Sequence, residues 1–356
     1  MSVALRPLSV LHVIESLSLG GAEACLVSGL PALAERGVRA SVLPLDGPLD
    51  LAGPLRSRGV EVLPVARAGW GAARRAVLAS DLVHTHLFKA NVAGRLLALT
   101  ARRPSITSLH NPDYGHEGPG RLGLRLALDR LSAGLALPTF IAVSDVVRQD
   151  FEQHLRRSSV VIPNPVALDW LEPDLDAAEA RRSLGLDDRP VVFTCARLHR
   201  QKGLDVLSDV AARRPGVQFV VAGLGPDRAD LAARGALRLL GGIDRPTMAR
   251  WLAAADAAAL PSRWESFGVA AVEQLGAGLP LVVSDIPGLG DTVGEAALRV
   301  PPGDVRALGD AIDRLLGDAE LRGRLAGLGR ARARAFGPGP WAGRVAELYR
   351  EVLAGR

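Results

Sequence analysis

An α/β fold built as two Rossmann-like, doubly wound parallel-sheet domains is what this sequence predicts, on three observations. Short β-branched runs alternate with Ala/Leu/Arg helical stretches, the rhythm of βαβ units. The series restarts after residue 190. A proline-containing segment poor in β-branched residues separates the two series.

In the first series, "SVLHVI" (9–14), "ASVLPL" (40–45), "LVHTH" (82–86), "SITSLH" (105–110), "FIAVS" (140–144) and "VVIPN" (160–164) read as strands. None contains Asp, Glu, Lys or Arg, which suits strands covered on both faces. Amphipathic helical stretches such as 22–36 and 89–101 lie between them. "PNPVALDWLEPDLDAAEA" (163–180) reads as the linker. The second series comprises "VVFTCA" (191–196), "QFVVAG" (218–223), "LRLLGG" (237–242), "AAALPS" (257–262) and "LVVSD" (281–285). The expected domains are 1–165 and 166–339, with ligands at strand ends in a cleft between them.

At 356 residues, 48% hydrophobic and 23% charged, the chain has the composition of a folded protein large enough for two cores. Aromatic residues make up 4%, too few for the stacking platforms of a single-strand nucleic-acid binder. The formal charge is +5, and residues 1–165 carry all of it, with 18 Lys+Arg against 13 Asp+Glu. Such a first half suits an anionic partner, either a phosphorylated acceptor or an acidic membrane surface. A soluble Arg-rich surface is the plainer alternative. Cys25 and Cys195 are the only cysteines, so neither a disulfide framework nor a Cys-based metal site is expected. The N-terminal apolar stretch reads as a first strand, and no apolar run reaches transmembrane length, so a cytoplasmic location is expected.

Gly20 and Gly21, in "SLSLGGAEA", precede a helix, where small residues let backbone amides approach a phosphate. A plain tight turn explains the pair equally well, and the spacing is not a dinucleotide fingerprint. "CARLHRQKGLDVL" places Arg197 and Lys202 on a strand-to-helix turn, where two cations could neutralise a diphosphate. A solvated basic turn is the alternative. "VVAGLGP" ends another strand in Gly223 and Gly225, and "LRLLGG" ends in Gly242.

"RWESFGVAAVEQLGAG" is the most informative stretch. Glu265 falls on a turn, Glu273 within the helix that follows, and Ser266, Phe267 and Gly268 open that helix. Acids on either side of a positive helix end suit hydroxyls, then phosphate, then hydroxyls, the order of groups in a nucleotide sugar. A dipole-favoured loop acid and a solvated helix acid would be the ordinary reading.

"ESFGVAAVE", "GAGLPLVVSDIPG", "ARLHRQKG", "VSDVVRQDF" and "VIPNPV" together resemble the retaining glycosyltransferases of family 4, also called group 1, over nearly the whole chain. The resemblance implies the GT-B architecture, with the tail 340–356 packing back on the first domain, and transfer of a sugar from a nucleoside diphosphate sugar to an acceptor hydroxyl with retention, in carbohydrate or cell-envelope biosynthesis. It implies that Arg197 and Lys202 bind the diphosphate, Glu265 the sugar, Glu273 the ribose, and Gly20 or Gly21 the donor from the facing domain. It casts His110, in "SITSLHNPDY", as the active-site histidine, with His86 and Asn111 beside it on the acceptor side. His84 and His86 resemble metal ligands only superficially, since no carboxylate or Cys stands at ligand spacing. No D-x-D motif occurs where a metal-dependent transferase would hold its cation, so a metal-independent enzyme without a cofactor is expected. The donor is expected to be a UDP-sugar first and GDP-mannose second.

The chain departs from the family at Cys195-Ala196, where Gly often precedes the Arg, and at Asp291, where Glu is usual. A nucleotide-sugar epimerase and a non-catalytic nucleotide-sugar binder of the same architecture are the alternatives. The acceptor is a glycan, a lipid-linked saccharide or a small molecule. "RLGLRLALDRLSAGLAL" (121–137) could lie peripherally on an anionic membrane.

Overall fold

The computed structural model describes residues 6–18, 20–111, 119–171 and 176–355. The chain divides into two compact units, Met1–Val166 with Gly337–Arg356, and Ala167–Phe336.

The first unit holds a seven-stranded sheet ordered β3-β2-β1-β4-β5-β6-β7. Its strands are β1 (Leu8–Ile14), β2 (Val38–Pro44), β3 (Glu61–Val62), β4 (Leu82–His86), β5 (Ser105–Leu109), β6 (Thr139–Ala142) and β7 (Val160–Val161), all paired in parallel. β1, β4 and β5 are almost wholly buried, as their uncharged composition requires. Helix Gly21–Ala34 packs against the C-terminal helix Pro338–Ala354, and Ala342, Val345, Ala346 and Tyr349 enter the same core as Leu26 and Leu30. At the contact, a Cβ on Gly29 would lie 2.6 Å from the Trp341 ring, so only glycine admits the tail at this depth.

The second unit holds a six-stranded parallel sheet ordered β10-β9-β8-β11-β12-β13. Its strands are β8 (Val191–Cys195), β9 (Gln218–Ala222), β10 (Arg238–Gly241), β11 (Ala257–Leu260), β12 (Leu281–Ser284) and β13 (Leu298–Val300). Aspartates cap helices here, among them Asp244 before Arg245–Ala254 and Asp304 before Val305–Gly317, each accepting a first-turn amide.

In each sheet the strand order reverses once, between β1 and β4 and between β8 and β11. Such a switch point leaves a crevice at the carboxyl ends of the strands, because the following loops part to opposite faces. The residues after β8 and β11 are the two stretches that the sequence marks most strongly.

Two corrections concern elements. Residues 163–180 are not all linker, since Asp176 caps a helix over Ala177–Ser183. β3 and β13 are additional strands, each at a sheet edge and each carrying an exposed charge, Glu61 or Arg299. Among the described residues no helix is long and apolar enough to cross a membrane.

Candidate functional site

In the second unit, the chain leaving β8 passes Arg197, forms a short 3-10 turn over Arg200–Lys202, and enters helix Leu204–Ala211 through Gly203. Gly203 has φ +62°, and a Cβ there would lie 2.0 Å from the Pro261 carbonyl oxygen. That close approach lays the β8 turn directly on the end of β11. The two loops are then stitched together. Arg263 donates to both carboxylate oxygens of Asp205, at 2.8 and 2.7 Å, and to the Arg200 carbonyl at 2.9 Å. Gln201 Nε2 donates to the Trp264 carbonyl at 3.1 Å.

This scaffold brings Lys202 Nζ into an ion pair with Glu265 Oε1, 63 residues away in sequence, and Ser262 Oγ donates to the same oxygen at 3.1 Å. Behind Glu265 stands Gly288, whose Cβ would be 2.0 Å from the Glu265 carbonyl oxygen. Thr292 Oγ1 pins the next turn by donating to the Phe267 carbonyl at 2.5 Å. The position of Glu265 is thereby fixed by backbone packing on two sides.

Glu273 lies within helix Val269–Gly276, whose N-cap Gly268 is left-handed at φ +90° and provides no side-chain cap. The first-turn amides of such a helix have no intrahelical acceptor and carry its positive dipole end. Burial pushes the Glu273 carboxyl up to about 7, against the opposing influence of Arg245. Burial likewise pushes the Cys195 thiol up to about 12, which leaves it an inert neutral group at the end of β8.

Several expected contacts take another form. Phe267 is buried, its ring set edge-on to Phe336 at 5.2 Å, so only its backbone faces the turn. The space beside Gly223 and Gly225 is filled by protein: a Cβ on either would come within 1.9 or 2.1 Å of the Ala196 or Leu198 carbonyl oxygen. Those glycines allow two strand ends to nest. A Cβ on Gly242 would lie 3.3 Å from the Leu224 side chain. Arg197 is exposed and donates to Gln201 Oε1 at 3.0 Å. Asp291 lies in helix Pro287–Val293, and its carbonyl accepts from Arg332 at 2.6 Å.

In the first unit, Gly20 and Gly21 begin helix Gly21–Ala34. A Cβ on Gly20 would collide with the Glu23 carboxylate at 2.3 Å, whereas the space beside Gly21 is open. Buried Glu23 accepts from Ser18 Oγ at 3.1 Å, which holds the turn from within. Asn111 is exposed just beyond β5.

His110 follows β5 and belongs to a cluster. Its Nε2 is 3.2 Å from His86 Nδ1, His86 Nε2 is 3.0 Å from His12 Nδ1, and His12 Nε2 is 3.4 Å from the Tyr349 hydroxyl. The Tyr349 hydroxyl is 2.7 Å from His84 Nδ1, and His84 Nε2 is 2.8 Å from Ser108 Oγ. His86, read from sequence as the member of its pair facing the cleft, is 2% exposed and lies behind His110. His84 and His86 also acquire a third neighbour, His12, with one ring nitrogen of each lying within 4.8 Å of the others. Spacing along the chain hides His12, because β1 and β4 are far apart in sequence. Their parallel register sets His12 beside His84. Burial lowers the pKa of all four, to about 3 for His12 and about 4 for His110, and well below the usual imidazole value for His84 and His86. The rings are neutral at physiological pH.

Known proteins resemble both halves of this chain. Residues 176–332 match the family model for glycosyl transferases group 1, and residues 19–170 match that for glycosyltransferase family 4. A D-inositol 3-phosphate glycosyltransferase of Xylanimonas cellulosilytica is 30% identical over 306 residues, 78% of this chain and 73% of that protein. An alpha-D-kanosaminyltransferase of Streptomyces kanamyceticus is 35% identical over 162 residues, 42% of each chain. Among solved structures, HepE of Anabaena, crystallised with UDP and glucose, superposes with a TM-score of 0.82 at 22% identity, covering 96% of this chain and 99% of that one. The chain belongs to the group 1, family 4 glycosyltransferases and has the GT-B fold.

Proposed function

We propose that this glycosyltransferase moves a sugar from a nucleoside diphosphate sugar to an acceptor hydroxyl, with retention at the anomeric carbon and without a resident metal ion. The observation that carries the reading is the Lys202–Glu265 ion pair at the switch point of the second sheet, with Glu273 on the helix that follows. Neither charge stands alone before substrate arrives. A diphosphate would draw Lys202 to itself, and the released Glu265 and Ser262 would accept and donate to sugar hydroxyls. Arg197 and the first-turn amides near Gly268 would share the diphosphate charge. Glu273, its carboxyl held near neutrality, would bind ribose hydroxyls. In the first unit, His110 is the group that would meet substrate.

In the chemical step, the bond between the anomeric carbon and the diphosphate oxygen breaks. The acceptor oxygen bonds to the same face, and its proton passes to the departing diphosphate. Charge grows on that diphosphate, so the fixed cations supply the stabilisation a divalent ion gives elsewhere. HepE of the same fold was crystallised with UDP, with UDP-glucose, and with UDP and glucose, which supports a UDP-hexose first. GDP-mannose stands second.

The test is a thermal-shift screen over nucleoside diphosphates, followed by turnover with the stabilising donor in the presence of chelator. UDP should raise the melting temperature, and Lys202→Ala should abolish that shift and lower turnover by about 10²–10³-fold. Turnover lost in chelator would end the metal-independent reading. A variant that keeps wild-type donor affinity would end the assignment of Lys202.

A specific observation also supports docking on an anionic membrane. Leu124, Leu128, Leu131 and Leu135 are spaced four, three and four apart along helix Pro119–Ala136, and with Leu137 they are 41–69% exposed. That spacing makes one apolar stripe, and a basic domain behind it would be drawn to acidic headgroups.

A further inference from the structure

The buried histidines of the first unit form an unbroken hydrogen-bonded chain, from Ser108 through His84, Tyr349, His12 and His86 to His110. Its members come from three adjacent strands and the C-terminal helix, so it is a product of tertiary packing. We propose that His12, His84, His86 and Tyr349 are positioning residues: the chain they form ties the tautomer of His110 to the tautomers of the other rings and to the direction of the Ser108 hydroxyl, so that they switch together.

A neutral imidazole has one donor nitrogen and one acceptor nitrogen. Each ring in the chain uses both. The buried Tyr349 hydroxyl could accept from both of its imidazole neighbours, but would then strand its own hydrogen. With that hydrogen donated to one of them, two arrangements satisfy every link. In one, Ser108 donates to His84, His84 Nδ1 to Tyr349, Tyr349 to His12 Nε2, His12 Nδ1 to His86 Nε2, and His86 Nδ1 to His110 Nε2. His110 then carries its hydrogen on Nδ1. In the other, every link is reversed and His110 carries its hydrogen on Nε2. Each ring holds one hydrogen in both, so no charge enters the core.

The free end gives the choice its meaning. His110 Nδ1 is buried, and the Asn164 side chain interacts with the ring as its polar neighbour outside the chain of histidines, in a contact too loose to set the tautomer by itself. In the first arrangement this nitrogen is a donor, in the second an acceptor. Burial keeps the rings neutral, since a proton added to one would meet no carboxylate partner among the described residues and would sit within 5.5 Å of a neighbouring ring centroid. A metal ion fits the same atoms less well. The nitrogens that would ligate it already share hydrogens, and no anion in the cluster would balance a divalent charge. The consequence for turnover depends on the reading of His110 as a group that meets substrate; the tautomer coupling itself does not.

The test is nitrogen-15 NMR of the full chain labelled at histidine, which reads tautomers directly without substrate. His12, His86 and His110 should share one tautomer, all Nδ1–H or all Nε2–H, and remain neutral down to about pH 5. Tyr349→Phe, which removes the hydroxyl joining the two arms, should leave His110 a mixture of tautomers. An even mixture lowers kcat by about twofold with the donor KM unchanged. Ser108→Ala should give the same mixing and serves if Tyr349→Phe does not fold. Differing tautomers among His12, His86 and His110 in the wild type would overturn the proposal. So would an unchanged His110 spectrum in a folded Tyr349→Phe or Ser108→Ala variant, or stoichiometric zinc binding that His12→Gln removes. If the tautomers behave as expected and kcat does not move, the fault lies with the substrate role of His110.

Discussion

The two units bury their polar groups differently. In the first, His12, Glu23, His84, His86, Arg95 and Asp129 are all buried ionisable side chains. In the second, the buried polar residues among those described are Thr194, Ser208, Ser262, Gln274, Ser284 and Thr292, none of which carries a charge. The charged groups gathered around the ends of β8 and β11 stand instead in partly exposed pairs, Lys202–Glu265 and Arg263–Asp205. The first unit uses ionisable groups to hold its interior, and the second keeps these pairs partly open to solvent. The difference follows from desolvation. Burial disfavours the charged form of an ionisable group, so side chains that stay charged are kept partly exposed.

The sharpest way to break this comparison is to remove one partner from an ion pair in each unit. Arg95 is fully buried and donates to Asp129, with Thr107 and Ser132 as further partners. Asp129→Ala should lower stability by about 3–5 kcal/mol, because it strands a buried guanidinium. Asp205→Ala, which frees a partly exposed arginine, should cost about 1 kcal/mol or less. Urea unfolding of the two variants checks both, and equal losses would remove the distinction.

The units should also answer pH with opposite slopes. His12 has a folded pKa of about 3 against an ordinary 6.5, so the unfolded state binds more protons between those values. Its unit loses stability as pH falls below 6.5. Glu273 has a folded pKa of about 7 against an ordinary 4.5, so the folded state binds more protons in that window. Its unit loses stability as pH rises from 4.5 to 7, by about 2 kcal/mol once partial exposure is discounted. Amide exchange in β4 and in helix Val269–Gly276, corrected for intrinsic rates, reads each slope separately. Parallel slopes would contradict the contrast.

The smallest expected effect concerns the exposed stripe. Leu131→Ser should change stability by no more than about 0.5 kcal/mol. It should weaken co-sedimentation with vesicles containing acidic lipid several-fold. Sedimentation that is unaltered by the variant, or by removing the acidic lipid, would dispose of membrane docking.

The second unit's site was legible in the sequence for a physical reason. Loops at the ends of buried strands are short, so Arg197, Lys202, Glu265 and Glu273 lie in two compact stretches whose polar residues interrupt apolar ones. The first unit's cluster was only half legible. His84, His86 and His110 stand out at strand ends, but joining them to His12 and Tyr349 needs the register of β1 on β4 and the return of the tail. Arg95 and Asp129 look like ordinary helix-surface charges until helices Phe88–Thr100 and Pro119–Ala136 are seen to pack together. β3 and β13 escaped because edge strands of two or three residues carry too little hydrophobic pattern to register.

The return of helix Pro338–Ala354 has a consequence for how the molecule is made. Chains emerge from the ribosome N-terminus first, and a domain completed by its earliest residues can close while the remainder is still being synthesised. Here the first unit waits. Until residues 338–354 have been added, the groove beside Gly29 has no Trp341 to fill it, and His84 and His12 lack the hydroxyl that joins them. The second unit, encoded by an uninterrupted stretch, is therefore free to finish folding before the first.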